Sequence, residues 1–160
     1  MMKKPASRQQ GVALIEFALV LPLLLILSFI TTEFGRAFYE YNTLAKAVRD
    51  AARYLSVQDP SIQSTDRAKI TVARDLVVYG RPDVTGASQP LLAGLSLANV
   101  PEANIQWALA GSNPAINTVS IRVSGYRFRP LISEAFGLRF GNSEGEIEFG
   151  DISATLRAPS

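Results

Sequence analysis

Residues 11–30 read GVALIEFALVLPLLLILSFI, an apolar run whose single charge is Glu16. No other feature limits the fold of this chain as strongly. A helix of about 20 residues, rising 1.5 Å per residue, is roughly 30 Å long, the thickness of a bilayer's hydrocarbon core. The preceding MMKKPASRQQ is polar and basic, and Pro5 with the lack of apolar periodicity argues against ordered structure there. Lys3, Lys4 and Arg8 are predicted to remain cytoplasmic by the positive-inside rule, which sends the rest of the chain outward. An ordinary secretory signal would have a shorter apolar core ending in small residues, whereas this run ends Leu27-Ser28-Phe29-Ile30. Pro22 removes one backbone donor inside the run and is predicted to kink the helix, which membrane helices tolerate when neighbours satisfy the freed carbonyl.

The sequence has sixteen basic and fourteen acidic side chains and a pI near 9.1, a balance that would fit a nucleic-acid partner. Its distribution removes that support. Lys3, Lys4 and Arg8 all precede Gly11, no acidic residue does, and beyond Gly11 the acidic residues are one ahead. There is no cysteine, so disulfides and thiolate chemistry are ruled out, and no histidine, the commonest general base and metal ligand.

The apolar pattern continues past the span. Phe34, Phe38, Tyr41, Ala45, Val48, Ala52 and Leu55 recur at alternating four- and three-residue steps, one stripe of a continuing helix. The helix should stop near Leu55, ahead of Asp59-Pro60. The stripe can pack on the chain's own domain, the favoured reading, or on a partner helix as a coiled-coil-like seam. A second helix is predicted over 66–79, capped by Ser64 or Thr65 with Asp66 at its positive end, closed by Gly80, and apolar along Ala68, Val72, Leu76 and Tyr79. Residues 80–101 form a Gly/Pro-rich loop that Leu91, Leu92, Leu95 and Leu97 tuck against the core. Strands follow at 104–110, with Ile105, Trp107 and Leu109 on one face, and at 117–128, where Val119, Ile121 and Val123 alternate with polar residues. Residues 130–141 make a connection with room for a short helix. Residues 146–157 return as a strand or strand pair with a bulge or bend at Gly150-Asp151. The sum is α+β: a long N-terminal membrane-spanning helix, a second helix and a small antiparallel sheet.

Glu16 is the residue that demands an explanation. An acidic side chain costs about 2.5–3.5 kcal/mol at the centre of a membrane helix on insertion scales, and less near the interface. The stretch Gln10-Gly11-Val12-Ala13-Leu14-Ile15-Glu16-Phe17, after a basic leader and before a long apolar helix, resembles the type IV pilin and pseudopilin signal. The resemblance narrows to TadE-like pseudopilins of the tight-adherence (Flp) pilus system. It is carried by Glu16-Phe17-Ala18-Leu19, Pro22, Glu33-Phe34-Gly35-Arg36 and Ala51-Ala52-Arg53-Tyr54, with further similarity at Val119–Arg129, Pro130-Leu131 and Ile152–Leu156. Residues 57–104 are its least diagnostic part.

The resemblance implies a leader at 1–11, a transmembrane helix at 12–32 and a periplasmic pilin-like α+β domain at 33–160. It implies that prepilin peptidase cuts between Gly11 and Val12, leaving Val12 as the new N-terminus. Glycine suits that step because a backbone without a side chain enters a narrow protease cleft. In an assembled bundle Glu16 would pair with the Val12 ammonium of a neighbouring subunit, beside Phe17, and an ion pair in an apolar setting fixes register. Major Flp pilins are much shorter and carry Glu-Tyr where this chain has Glu16-Phe17, which favours a minor pilin or assembly factor. The implied partners are prepilin peptidase, other pilins and the inner-membrane assembly machinery, together with the membrane; no nucleic acid, cofactor or metal is expected, and no enzymatic activity. The second reading is an uncleaved, membrane-anchored periplasmic scaffold or binding domain.

Two charge clusters remain. Glu144, Glu146, Glu148 and Asp151 would suit calcium, but without a defined loop a solvated strand face is the expectation. Arg122, Arg127, Arg129 and Arg139 form either a partner patch or an exposed strand face, the latter expected. Glu33, just past the span, is either a subunit contact or a partner of Arg36.

Overall fold

The computed structural model describes residues 7–58, 67–132, 134–135, 137–139 and 141–158, with the side chains of residues 7–10, Ala135 and Leu138 excepted. The candidate caps Ser64 and Thr65, and Asp66 at the expected positive end, lie outside the described residues. Helix α1 spans Ser7–Ser56 without interruption, through Pro22. It ends within one residue of the expected stop, where Gln58 N–H donates to the Leu55 carbonyl at 3.0 Å. It begins earlier than expected: Ser7–Gln10 are helical, because Arg8, Gln9 and Gln10 are good helix formers that extend an already nucleated helix. Past the apolar run, Thr31, Thr32, Asn42 and Thr43 bond back to the carbonyls four residues earlier, so their polar side chains are satisfied inside the helix.

Helix α2 spans Arg67–Tyr79, and Gly80 N–H closes it on the Leu76 carbonyl at 3.1 Å. The buried face differs from the expected one. Ala73, Val77 and Val78 are buried, Val72, Leu76 and Tyr79 only partly, and Ala68 is exposed. Small side chains explain the shift: Ala73 on α2 and Ala51 and Ala52 on α1 are fully buried, allowing the two helices to approach closely. Leu92 and Leu95 anchor the following loop as expected, and Leu91 stays exposed. Arg74 reaches from α2 to the carbonyls of Val100 (2.7 Å) and Leu97 (3.0 Å), holding the 3-10 turns Leu97–Asn99 and Glu102–Asn104 in place.

Strands β1 (Ile105–Ala110), β2 (Ile116–Val123) and β7 (Ile152–Arg157) form an antiparallel sheet in the order β1-β2-β7. Val119, Ile121, Val123 and Ile152 turn inward onto Leu44, Val48 and Leu55 of α1. Trp107 packs against this core from its margin, but Leu109 is exposed rather than sharing the buried face, because it lies near the free end of an edge strand. The expected strand over 117–128 is two strands. β2 stops at Val123, Gly125 takes φ +65°, a conformation that suits glycine, and β3 (Arg127–Phe128) leaves for a second sheet with β6 (Ile147–Glu148). The bend at Gly150-Asp151 is therefore the crossing from β6 in one sheet to β7 in another. The connection 130–141 holds no helix among its described residues: β4 (Glu134–Ala135) and β5 (Leu138–Arg139) pair as a small antiparallel ladder around Gly137.

Candidate functional site: the exposed half of the long helix

α1 presents two different surfaces along its length. From Gly11 to Ile30 its side chains are exposed, apart from Pro22, Ile26 and Phe29, which are half-buried. Val12 and Phe17 are both exposed, and Glu16 stands one turn beyond Val12, with no ion-pair or hydrogen-bond partner among the described residues. The structure thus places Gly11, Val12, Glu16, Phe17 and Pro22 on one continuous helix facing no part of the domain. Gly11 has no packing reason to be glycine: a Cβ built there meets nothing within 4 Å. A glycine in a helix interior costs about 0.5–1 kcal/mol relative to alanine, and nothing in the fold offsets that.

The seven-residue stripe is divided. Val48, Ala52 and Leu55 are buried in the domain and Ala45 packs against it, whereas Phe34, Phe38 and Tyr41 are exposed. Tyr41 meets Phe149 edge-on, ring centroids 5.9 Å apart. Phe34 and Phe38 stack on each other at 6.5 Å and extend the exposed apolar surface beyond the span.

Between the halves lies a polar lock. Arg36 pairs with Glu33 (2.9 Å) and Glu40 (3.6 Å) on its own helix, and its guanidinium lies 5.3 Å from the centre of the Phe128 ring. Glu33 also accepts the Leu131 backbone N–H at 3.1 Å. The Tyr126 hydroxyl donates to Glu40 Oε2 at 2.7 Å, with the Ala93 carbonyl at 3.2 Å beside it. Burial, then the bond to Glu40, pushes the Tyr126 phenol well above its ordinary value, so it donates as a neutral group. Of the two expected roles of Glu33, the structure shows the pairing with Arg36. The Glu40–Tyr126 bond was hidden in sequence, since the two residues lie 86 positions apart.

The acidic and basic clusters take each other up. Glu146 receives Arg129 Nε at 2.6 Å and Arg127 Nη1 at 3.4 Å, while Arg127 also meets Glu144, Arg122 meets Asp151, and Arg139 meets Glu134, each at 3.7 Å. Glu148 faces Arg127 across the β3–β6 ladder. The hydrogen bond from Arg129 holds the Glu146 carboxyl below its ordinary value, against partial burial and with help from the charges of Arg129 and Arg127. Gly141, at φ +94°, makes the turn that carries Glu146; a Cβ there would sit 2.6 Å from the Glu146 carbonyl oxygen.

A long exposed apolar helix joined to a small antiparallel sheet gives an α+β chain, and the helix, the one long and apolar enough to cross a membrane among the described residues, fits a single-pass anchor. The family model described as TadE-like protein matches residues 11–53, from Gly11 almost to the end of α1. Over that segment, about a quarter of the chain, the sequence is similar to TadE-like proteins. The further similarity at Val119–Leu156 lies outside the matched segment. No curated protein and no solved structure matches the chain.

Proposed function

We propose that this protein is a minor pilin or pseudopilin acting in assembly of a tight-adherence pilus, a structural component rather than an enzyme. It is oriented with its N-terminus cytoplasmic and its domain periplasmic. Prepilin peptidase cuts after Gly11, and Glu16 then pairs with the Val12 ammonium of an adjacent subunit within a helical bundle. The observation that carries this reading is the joint state of Gly11 and Glu16: a glycine that packing does not require, five residues before a carboxylate with no partner among the described residues, on a helix that leaves its apolar surface open. Cutting removes the basic leader and supplies the positive charge that Glu16 lacks.

One observation favours the second reading, an uncleaved membrane-anchored scaffold or binding domain: α1 runs through Gly11 to Ser7, so the peptidase must unwind a helical turn to reach the bond. N-terminal sequencing of the protein from its native membrane separates the two. A terminus at Val12 is expected, and an intact leader defeats the processing step. Gly11→Ala should leave the domain's thermal unfolding unchanged while blocking maturation. Glu16→Ala should still insert and mature but abolish assembly; normal piliation in that variant removes the Glu16–amine pair.

A further inference from the structure

We propose that the corner of the domain formed by Leu131, Ile132 and Ile147 docks into the leaflet beside α1, with acyl chains filling the apolar cavity behind it. The cavity, about 350 Å³, lies between Phe29, Ile30 and Phe34 of α1 and Phe128, Ile132 and Ile147 of the domain. Its lining is continuous with the membrane anchor, because Phe29 and Ile30 end the apolar run that spans the hydrocarbon core.

The height of this corner follows from helix geometry. Glu33 lies three residues past Ile30, about 4.5 Å further along the axis. The polar layer on each side of the hydrocarbon core is roughly 5–7 Å deep. Glu33 therefore stands within the headgroup layer, and its carboxylate holds the Leu131 N–H at 3.1 Å, fixing that loop at the same level. There Leu131 is 77% exposed, more than any other large apolar side chain among the described residues. Ile147 is also exposed, and Phe34 opens onto the same cavity. In water this arrangement wastes apolar surface; at the edge of a bilayer it is covered without any further chain. Arg129, two residues before Leu131, has an exposed guanidinium already paired with Glu146, so the contact is apolar in character rather than a recognition of anionic headgroups.

The inference rests on α1 being a membrane anchor, and the test reads the two separately. The full chain carries one tryptophan and no cysteine. On a Trp107→Phe background, tryptophan is placed singly at Ile30, Leu131 or Leu109, and the protein is reconstituted into phosphatidylcholine vesicles with acyl-brominated lipid. Leu109 serves as the remote control because it lies at the opposite end of the sheet from Tyr126 and the lock. Emission from Leu131→Trp should be quenched to an extent comparable with Ile30→Trp, while Leu109→Trp is unquenched. Quenching at Ile30 but not at Leu131 overturns the docking and keeps the anchor; no quenching at Ile30 removes the anchor itself. A blue-shifted, unquenched Leu131→Trp whose shift fades on dilution of protein in lipid also overturns the proposal, because a second protein then covers the corner. If tryptophan perturbs the loop, Leu131→Cys with an environment-sensitive label gives the same readout.

Discussion

Leu23 and Leu55 lie on one helix and differ in what surrounds them: Leu23 is 67% exposed and Leu55 is fully buried. The contrast extends to the two halves of α1. Up to Tyr41 the helix contributes apolar surface that the chain does not cover; from Leu44 onward it is the central element of the core, packed on α2, β2 and β7. Apolar residues alone therefore do not show what a helix segment is for. The distal half stabilises the domain, and the proximal half needs a bilayer or other helices to cover it. The largest expected effect tests this division. Leu55→Ala should destabilise the domain by about 2–5 kcal/mol, the usual range for a truncated core leucine. Leu23→Ala should leave the domain's denaturant midpoint unchanged. An equal loss from both substitutions, followed by Trp107 fluorescence, would mean that the halves are not energetically separate.

The boundary between the halves is polar, and it sets the next effect in size. Tyr126 is buried and donates to Glu40, tying β3's approach to the helix at its first turns beyond the span. Removing the hydroxyl strips a hydrogen bond to a charged group, worth about 1.5–3 kcal/mol. Tyr126→Phe should lower stability by that amount while the far-UV circular dichroism stays unchanged. Amide hydrogen exchange should rise near Glu33–Glu40 and 126–131 and not around Leu55. Uniform loosening of the domain would show that the lock is not local.

Legibility in the sequence divides at the same place. α1 was readable to within a residue at its C-terminal end, because a 3.6-residue period held over a long run leaves little ambiguity, and the alternation of Val119, Ile121 and Val123 identified the central strand for the same reason. Gly11, Val12, Glu16 and Phe17 were legible as a motif, and the structure adds that all four are exposed on one continuous helix. What sequence could not give depended on partners distant along the chain. Phe34 and Val48 occupy the same stripe, yet only a tertiary contact decides that one is exposed and the other buried. Glu40 and Tyr126 are far apart in sequence, as are Glu33 and Leu131. The arginine and glutamate clusters looked like separate patches until the β3–β6 ladder set them opposite each other. Short strands such as β4 and β5 have too few residues to display a period, so a helix was as readable there as a ladder.

The smallest effects concern two carboxylates, one on each side of this boundary, whose contributions to stability run in opposite directions with pH. Glu146, next to Ile147 on β6, is held below its ordinary value by Arg129. The unfolded state then binds the proton more readily, so Glu146's contribution is fully present above the unfolded value and is lost as pH falls through the folded one. Asp75, on α2 in the distal region, is raised by burial, only partly offset by the charge of Arg74. Here the folded state binds the proton more readily, so stability declines as pH rises from the unfolded value through the folded one. Asp75→Asn should raise the melting temperature slightly at neutral pH, where the wild-type carboxylate is charged in a poorly hydrated site, and should have less effect in acid. Glu146→Gln should do the reverse, lowering stability at neutral pH and converging with wild type in acid. Melting curves of the two variants across pH 2–7 therefore diverge from wild type in opposite senses at the neutral end. If both fall, burial of Asp75 is offset by a contact that favours its charged form, and the distal core depends on that charge.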